Sequence, residues 1–433
     1  MIPRVLVHPD DEALAGALRV KVDDKAKGKP MNDNDKDAFR QQVREWLEAN
    51  CPPSLRTPTP EDEMVWGGSN VGFKTEDQRL WFERMRDKGW FCPDWPKEYG
   101  GGGLSRQEVA ILEAEQRRLR CRPPQINLGI WMLGPVLLEY GSEEQKKRLL
   151  PPMTRGEVRW CQGFSEPNAG SDLANIRTTA KDAGDHFLVD GTKIWTSYGD
   201  KSDWMYALVR TDSQAPKHQG ISLLVLDMHA PGVSVAPIHL ISGKSTFCQV
   251  FFDGVEVPKE NLIGPLNGGW SLAKKLLQHE RSAMSKFGEF SLPTHFHLMP
   301  LIQEYLPQPH TPADTALHAR ATACAMEEAA YNLTVQRMGE EGQAGQDVSG
   351  LMAIMKLVHT EQERVKFEVL LDAMGYRALG WAGETFTDQE KAIDKAWLNS
   401  FTQTIAGGSS EVQLNVIAKR VLDLPDAPKG AKP

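Results

Sequence analysis

The sequence predicts an α+β fold in three consecutive parts: an N-terminal α-helical domain, a middle antiparallel β-domain and a C-terminal helical bundle. Hydrophobic periodicity near 3.6 dominates up to about Gly156. Between Arg159 and Gly264 the period falls to about 2, and from Gly268 to about Leu422 long helical patterns return. The length of 433 residues exceeds one core and fits two or three domains. The expected boundaries are a disordered leader over 1–30, a helical domain over 31–157, a β-domain over 158–265, a second helical domain over 266–425 and a tail over 426–433.

Residues Met1–Lys29 show no sustained periodicity and close on the lysine-rich KAKGKP. Helical signal then starts abruptly, with Phe39, Val43, Trp46 and Leu47 forming one apolar stripe. PDWPKEYGGGG over Pro93–Gly103 reads as a loop. Gln107–Arg120 is rich in helix formers, Gly129–Tyr140 is apolar, and Ser142–Leu150 opens with a helix-start signature. Short strands rich in Val, Ile, Leu and Phe follow at His186–Val189, Met205–Arg210, Ile221–Asp227, Val233–Ile238 and Thr246–Phe252. Asp190-Gly191 and Asp253-Gly254 beside them read as turns. Helical patterns in the last part break at Pro293–Pro312, Glu340–Val348 and Gly380–Phe386.

Composition excludes several function classes. The chain is 40% hydrophobic and 25% charged, and no run of ~18 apolar residues offers a membrane span. Acidic residues and lysines interrupt the first thirty positions, which argues against a secretory signal. The six cysteines are scattered without a CxxC pair, so reduced thiols in a cytoplasm fit better than a disulfide framework or a metal site. A net charge of −8 lacks the basic footprint of a nucleic-acid binder.

Chemistry concentrates in CQGFSEPNAGSDLAN, Cys161–Asn175. Hydroxyls and bare N–H groups at that density suit a loop around a phosphate-bearing cofactor, and equally an ordinary turn cluster. A second run, VDGTKIWTSYGDKSD (Val189–Asp203), places Trp195 before a Thr-Ser pair. A third, IAGGSSEVQ (Ile405–Gln413), reads as two glycines ahead of a helix whose capping box is Ser410 and Gln413. It offers N–H groups to an anion, or is simply a helix start. Lys193, Lys201, Lys244, Lys274, Lys275 and Arg281 could hold an anionic ligand or be solvated surface charge. After Gly268-Gly269, the spacing of Ala273, Leu277, Glu280 and Met284 puts an acid on an apolar helical stripe. Burial there favours a general base with a raised pKa, or else an ion pair with Arg281 or Lys275.

The pairing of SEPNAGSD with a downstream KIWTS resembles the acyl-CoA dehydrogenase family, whose flavin-binding loop reads nearly the same as Phe164–Ala174. PDWPKEYGG is similar to the turn that precedes a long helix in the family's N-terminal domain. The resemblance implies the acyl-CoA dehydrogenase fold, FAD as cofactor, and dehydrogenation of an acyl-CoA thioester to the 2-enoyl-CoA. It also implies electron transfer to an electron-transfer flavoprotein and a homo-oligomer, dimer or tetramer. Gln162, Phe164, Ser165 and Ser171, with Trp195, Thr196 and Ser197, are implied to bind FAD; in isolation Trp195 reads rather as a core aromatic on a half-buried strand. Ser171 is further implied to touch the CoA chain, Ser409 and Glu411 the FAD, and Gly408 the thioester.

Many relatives carry the base just before the glycine of the C-terminal motif, where this chain has Gly407. Others, such as isovaleryl-CoA dehydrogenase, place it at the position matching Glu280, followed by an arginine matching Arg281. The resemblance therefore implies Glu280 as base, flavin N5 as hydride acceptor and Arg281 at the substrate. Two family elements are altered. An Arg-x-x-Phe-Gly segment is expected near Phe287–His310, where the chain reads FGEFSLPTHFHLMPLIQEYLPQPH. A Gln-x-x-Gly-Gly element is expected near Leu371–Tyr376, where only Gly375 matches. A divergent branch acting on branched, cyclic or steroid-side-chain acids shares this drift and includes heteromers. Alternative functions on the same fold are a flavin oxidase or monooxygenase, and a non-catalytic partner subunit.

Overall fold

The computed structural model describes residues 31–290, 296–344, 346 and 348–425, with the side chains of 61, 280–290, 343 and 349 outside that description. The expected leader and tail lie outside the described residues. Two compact units divide the chain. The first takes in the described parts of Met1–Asn168, Ala174–Ala236 and Cys248–Pro293; the second takes in Ala169–Leu173, Pro237–Phe247 and the described part of Thr294–Pro433.

In the first unit, helix α1 (Asp33–Asn50) starts at Asn32, whose side chain accepts from Asp35 N–H. Its Val43 and Leu47 are buried and it packs on α3 (Arg106–Leu119). α3 opens with a full capping box between Ser105 and Glu108. Glu115 of α3 is buried and accepts from Arg44 and Arg118. α2 (Glu76–Asp87) is capped by Thr75. The apolar segment after Gly129 winds into α4 (Gly134–Tyr140), and α5 (Glu143–Thr154) carries the capping box of Ser142 and Gln145. Gln145 Nε2 also donates to the carbonyls of Glu260 (2.8 Å) and Leu262 (2.7 Å), which pins the helical layer to the β-sheet.

The sheet holds β1 (Trp160–Gly163), β2 (Thr179–Asp182), β3 (His186–Ser197), β4 (Trp204–Arg210), β5 (Ile221–Asp227), β6 (Val233–Ile238), β7 (Phe247–Pro258) and β8 (Leu262–Ile263). Its order is β6-β7-β3-β2-β4-β5-β8, with β1 beside β4. The β2–β3, β4–β5 and β5–β8 pairs are antiparallel, but β1 runs parallel to β4 from Trp160↔Trp204 to Gly163↔Ala207. The sheet is thus mixed, because the chain returns to β4 in the direction in which it left β1. β4 and β5 are buried on both faces: Met205, Ala207, Val209, Leu224 and Leu226 face a common core, and helix α6 (Gly269–Phe290) packs on these strands.

The two Asp-Gly dipeptides are not turns. Both lie inside long strands, with positive φ at Gly191 (145°) and Gly254 (59°). In β7 the buried positions run 248, 250, 252 and then 255, 257, so one extra residue enters at Asp253-Gly254. This is a bulge, which uses the same positive φ that a turn uses but keeps the strand going. Gly254 N–H donates to Asp190 Oδ1 at 2.9 Å.

The second unit is helical: α7 (Leu298–Tyr305), α8 (Pro312–Gln343), α9 (Ser349–Met374), α10 (Asp388–Gln403) and α11 (Ser410–Val416). α7 falls within a segment expected to be a break. Its Pro300 sits in the first turn, where no intrahelical N–H is required, and Leu298, Leu301 and Ile302 are buried with Phe367, Leu370 and Ile393. Among the described residues, no helix is long and apolar enough to cross a membrane.

Candidate active site

The loop after β1 and the end of β3 meet within the first unit. Ile194 N–H donates to Ser165 O at 2.9 Å, which joins the two stretches directly. Gln162 Oε1 accepts from Tyr206 OH at 3.1 Å, and the buried Phe164 ring stands edge-on to Tyr206 with centroids 6.1 Å apart. Beneath this junction lies Lys193, 0% exposed, donating to Glu166 Oε1 at 2.8 Å and to Phe164 O at 3.1 Å. Lys193 is therefore neither surface charge nor available to an anionic ligand. Its burial could be read from alternation, since Phe187, Val189 and Lys193 share one face of β3.

That alternation slips next. Lys193 and Thr196 are both buried although three apart, which a regular strand forbids. The extra residue is Trp195, held left-handed at φ 60° and 54% exposed. Trp195 is accordingly not a core aromatic. A non-glycine residue in this conformation is strained and marks a place where surroundings impose it. The slip turns the indole outward and drops the Thr196 side chain in, where it is 1% exposed with Oγ1 lacking a hydrogen-bond partner among the described residues. Ser197 is half-buried, and Tyr198 is again left-handed (φ 52°). A strained backbone that keeps an indole outward fits an aromatic ring system as its partner.

Ser171, in the second unit, is exposed on a bend. In the same unit Gly407 (φ 67°) and Gly408 (φ 97°) form a left-handed pair ahead of α11. The cap of α11 is Ser409, whose Oγ accepts from Val412 N–H at 3.4 Å, one residue before the expected Ser410. Ser410 Oγ is instead drawn to Glu361 Oε1 at 2.6 Å, and Gln413 Nε2 donates to Gly407 O (3.1 Å) and Gly408 O (3.5 Å). Glu411 is exposed, and its own backbone N–H, with Ser409, holds its carboxyl below the usual range. Gly375 follows α9 in an exposed position with φ 57°. A Cβ at Gly407 would meet nothing within 4 Å.

Position 280 lies on α6, four residues past the buried Leu276 and seven past the buried Ala273, so it shares their face. The side chains of Glu280 and Arg281 lie outside the described residues. Sequence reading missed Glu166 and Lys356 as parts of these sites: Lys356 donates to Gly408 O at 2.7 Å, and neither its spacing nor its neighbours signal that long-range bond.

Comparison with known proteins covers nearly the whole described chain. Family models match in order: acyl-CoA dehydrogenase N-terminal domain over 33–157, middle domain over 161–255 and C-terminal domain over 267–422. The acyl-CoA dehydrogenase IpdE1 of Mycobacterium tuberculosis is 33% identical over 415 residues, covering 92% of this chain and 100% of the relative. The acyl-CoA dehydrogenase FadE34 of the same organism is 36% identical over 341 residues, 79% of this chain; there the match spans only 45% of the relative. Among solved structures, the Tcur3481-Tcur3483 steroid ACAD aligns with a TM-score of 0.68 at 27% identity, over 92% of this chain and 99% of that one.

Proposed function

The chain belongs to the acyl-CoA dehydrogenase family of oxidoreductases, and from that premise we propose that it binds FAD and dehydrogenates an acyl-CoA thioester to the 2-enoyl-CoA. The observation that carries the reading is the slipped end of β3, which holds Trp195 left-handed with its indole outward, directly after the Ile194 N–H that bonds Ser165 of the loop after β1. In this reading Phe164, Ser165 and Gln162 line one side of the FAD and Trp195–Ser197 pack against its ring. Ser171, Gly375, Ser409 and Glu411 supply further contacts. Bound FAD supplies the acceptor for the Cβ hydride.

Glu280 takes the Cα proton. What supports this is position: residue 280 follows the buried Ala273 and Leu276 by seven and four residues on α6. Arg281 sits at the substrate. The Gly407–Gly408 pair has both carbonyls held by donors of the protein, so the Gly408 N–H, antiparallel to the Gly407 carbonyl across a planar peptide, faces away from them and is offered to the thioester oxygen. A glycine at 407, with open space around it, suits a branched or polycyclic acyl chain, and similarity to a steroid ACAD agrees with that class. Electrons pass to an electron-transfer flavoprotein. The working form is a cytoplasmic oligomer, of its own copies or with a related chain, as the paired name of that steroid ACAD suggests for its class.

One experiment tests the whole. Purified protein is followed in the visible spectrum while acyl-CoAs are added anaerobically, and then in air. Bleaching without oxygen consumption supports the dehydrogenase, and peroxide formation supports an oxidase. A colourless preparation supports a partner subunit, a reading favoured by the altered Arg-x-x-Phe-Gly and Gln-x-x-Gly-Gly elements.

A further inference from the structure

The Lys193–Glu166 pair has no part in the chemistry above, yet it is among the most enclosed charges of the first unit. Glu166 is 8% exposed and accepts three hydrogen bonds: from the Lys193 ammonium and Thr178 N–H (3.0 Å) at Oε1, and from Arg177 N–H (2.6 Å) at Oε2; Lys193 reaches on to Phe164 O. Burial pulls the Lys193 ammonium down to about 8, against the opposing pull of Glu166. Burial alone would raise the Glu166 carboxyl, but Lys193 and the N–H donors outweigh it and hold it low. The pair meets at 2.8 Å, Nζ to Oε1. It ties together three stretches: 164–166 after β1, 177–178 before β2, and β3 two residues ahead of Trp195.

A buried ion pair adds little net stability, because desolvation offsets attraction and apolar replacements are often as stable. What it does supply is fixed geometry. Strained backbone persists only where surroundings over-determine it, and Trp195 is strained. Lys193 and the Ile194–Ser165 bond fix the chain immediately before it. We propose that Lys193 and Glu166 are positioning residues that lock the loop after β1 against the slipped end of β3, so that Phe164–Ser165 and Trp195–Ser197 are set for FAD before it arrives. This rests on the FAD reading above.

The test compares wild type, Glu166→Gln, and Glu166→Met combined with Lys193→Met. Each is assayed for thermal midpoint without FAD, for FAD affinity after stripping and rebinding, and for the visible spectrum of bound flavin. Groups that orient a metal's ligands typically change metal affinity by about 10–100-fold when removed, and a clasp that orients cofactor-binding stretches is expected to act on that scale. Glu166→Gln keeps the shape and weakens the clasp, so FAD affinity falls by about tenfold or more. The double variant removes both charges but leaves the Arg177 and Thr178 N–H groups without their acceptor, so its midpoint stays below wild type; FAD affinity also stays low and the spectrum moves towards that of free FAD. A double variant that regains both stability and FAD affinity makes the pair purely structural and overturns the proposal. If the double variant does not fold, unchanged affinity and spectrum in Glu166→Gln overturn it alone. A wild type that neither retains nor rebinds FAD sinks the flavin reading itself, which is a separate result.

Discussion

Lys356 donates from Nζ to the carbonyl oxygen of Gly408 at 2.7 Å, tying α9 to the glycine pair that precedes α11. The ammonium is half-buried, and burial lowers its pKa against the opposing field of Glu361. A charge-assisted bond to a carbonyl contributes about 1.5–3 kcal/mol and orients the peptide it grips. Lys356→Met should lower the thermal midpoint by a few degrees. It should also raise KM for acyl-CoA with flavin content unchanged. Steady-state kinetics beside calorimetry check this, and an unaltered KM would leave Lys356 a fold residue only.

Glu280→Gln should reduce anaerobic flavin reduction by about 10²–10⁴-fold while preserving flavin content and binding of a 2-enoyl-CoA. The amide keeps the shape but cannot accept the Cα proton. Adding Gly407→Glu to that variant tests whether a base can be moved. Space is available, but φ at 407 is 67°, so the left-handed strain costs about 1–2 kcal/mol. Partial rescue with lower stability is the expected outcome, and near-normal reduction in Glu280→Gln alone rules the base out.

Trp195→Ala should weaken FAD retention by about 1–3 kcal/mol, equivalent to roughly 5–150-fold. Because the indole is 54% exposed, the protein without FAD should lose no stability. Fluorescence titration of the stripped protein checks the first part and thermal unfolding the second. A destabilised but fully flavinated variant contradicts both.

Glu115 gives a pH dependence with a definite sign. Its hydrogen bond from Arg44, helped by Arg118 and opposed by burial, holds the carboxyl at about 2. Its contribution is therefore complete above the unfolded value of about 4.3 and is lost as pH falls towards 2. Glu115→Gln should cost about 1–3 kcal/mol at neutral pH, and the gap from wild type should narrow steadily below about pH 4. Denaturant unfolding across that range is the measurement, and a pH-independent gap would contradict the assignment.

The start of α5 was legible because a cap is local chemistry: Ser142 with Gln145 needs only a four-residue window, as does the Ser105–Glu108 box, which the helix-former content of Gln107–Arg120 did not reveal. At Ser409 the same rule erred by one residue, since Glu361, far away in sequence, competes for Ser410. Asp190-Gly191 and Asp253-Gly254 misled because positive φ also occurs inside strands, at a bulge in the second case, and the deciding factor is pairing with distant strands. The site motifs were visible as sequence, but the left-handed Trp195 was not, because no residue type there announces it. Lys193 carried a usable signal in its parity with Phe187 and Val189, hidden by the usual expectation that lysines face water.

With FAD as the ligand proposed above, Trp195 makes the protein dependent on nutrition. Held left-handed, it is a burden on the empty protein, one that glycine or asparagine at the same position would relieve. A ligand that binds only the folded state adds about 2.7 kcal/mol when present at a hundred times its Kd. In a cell short of the flavin precursor that increment shrinks, the unfolded fraction rises, and proteases act on it. The abundance of this protein should then follow vitamin supply with no change in transcription.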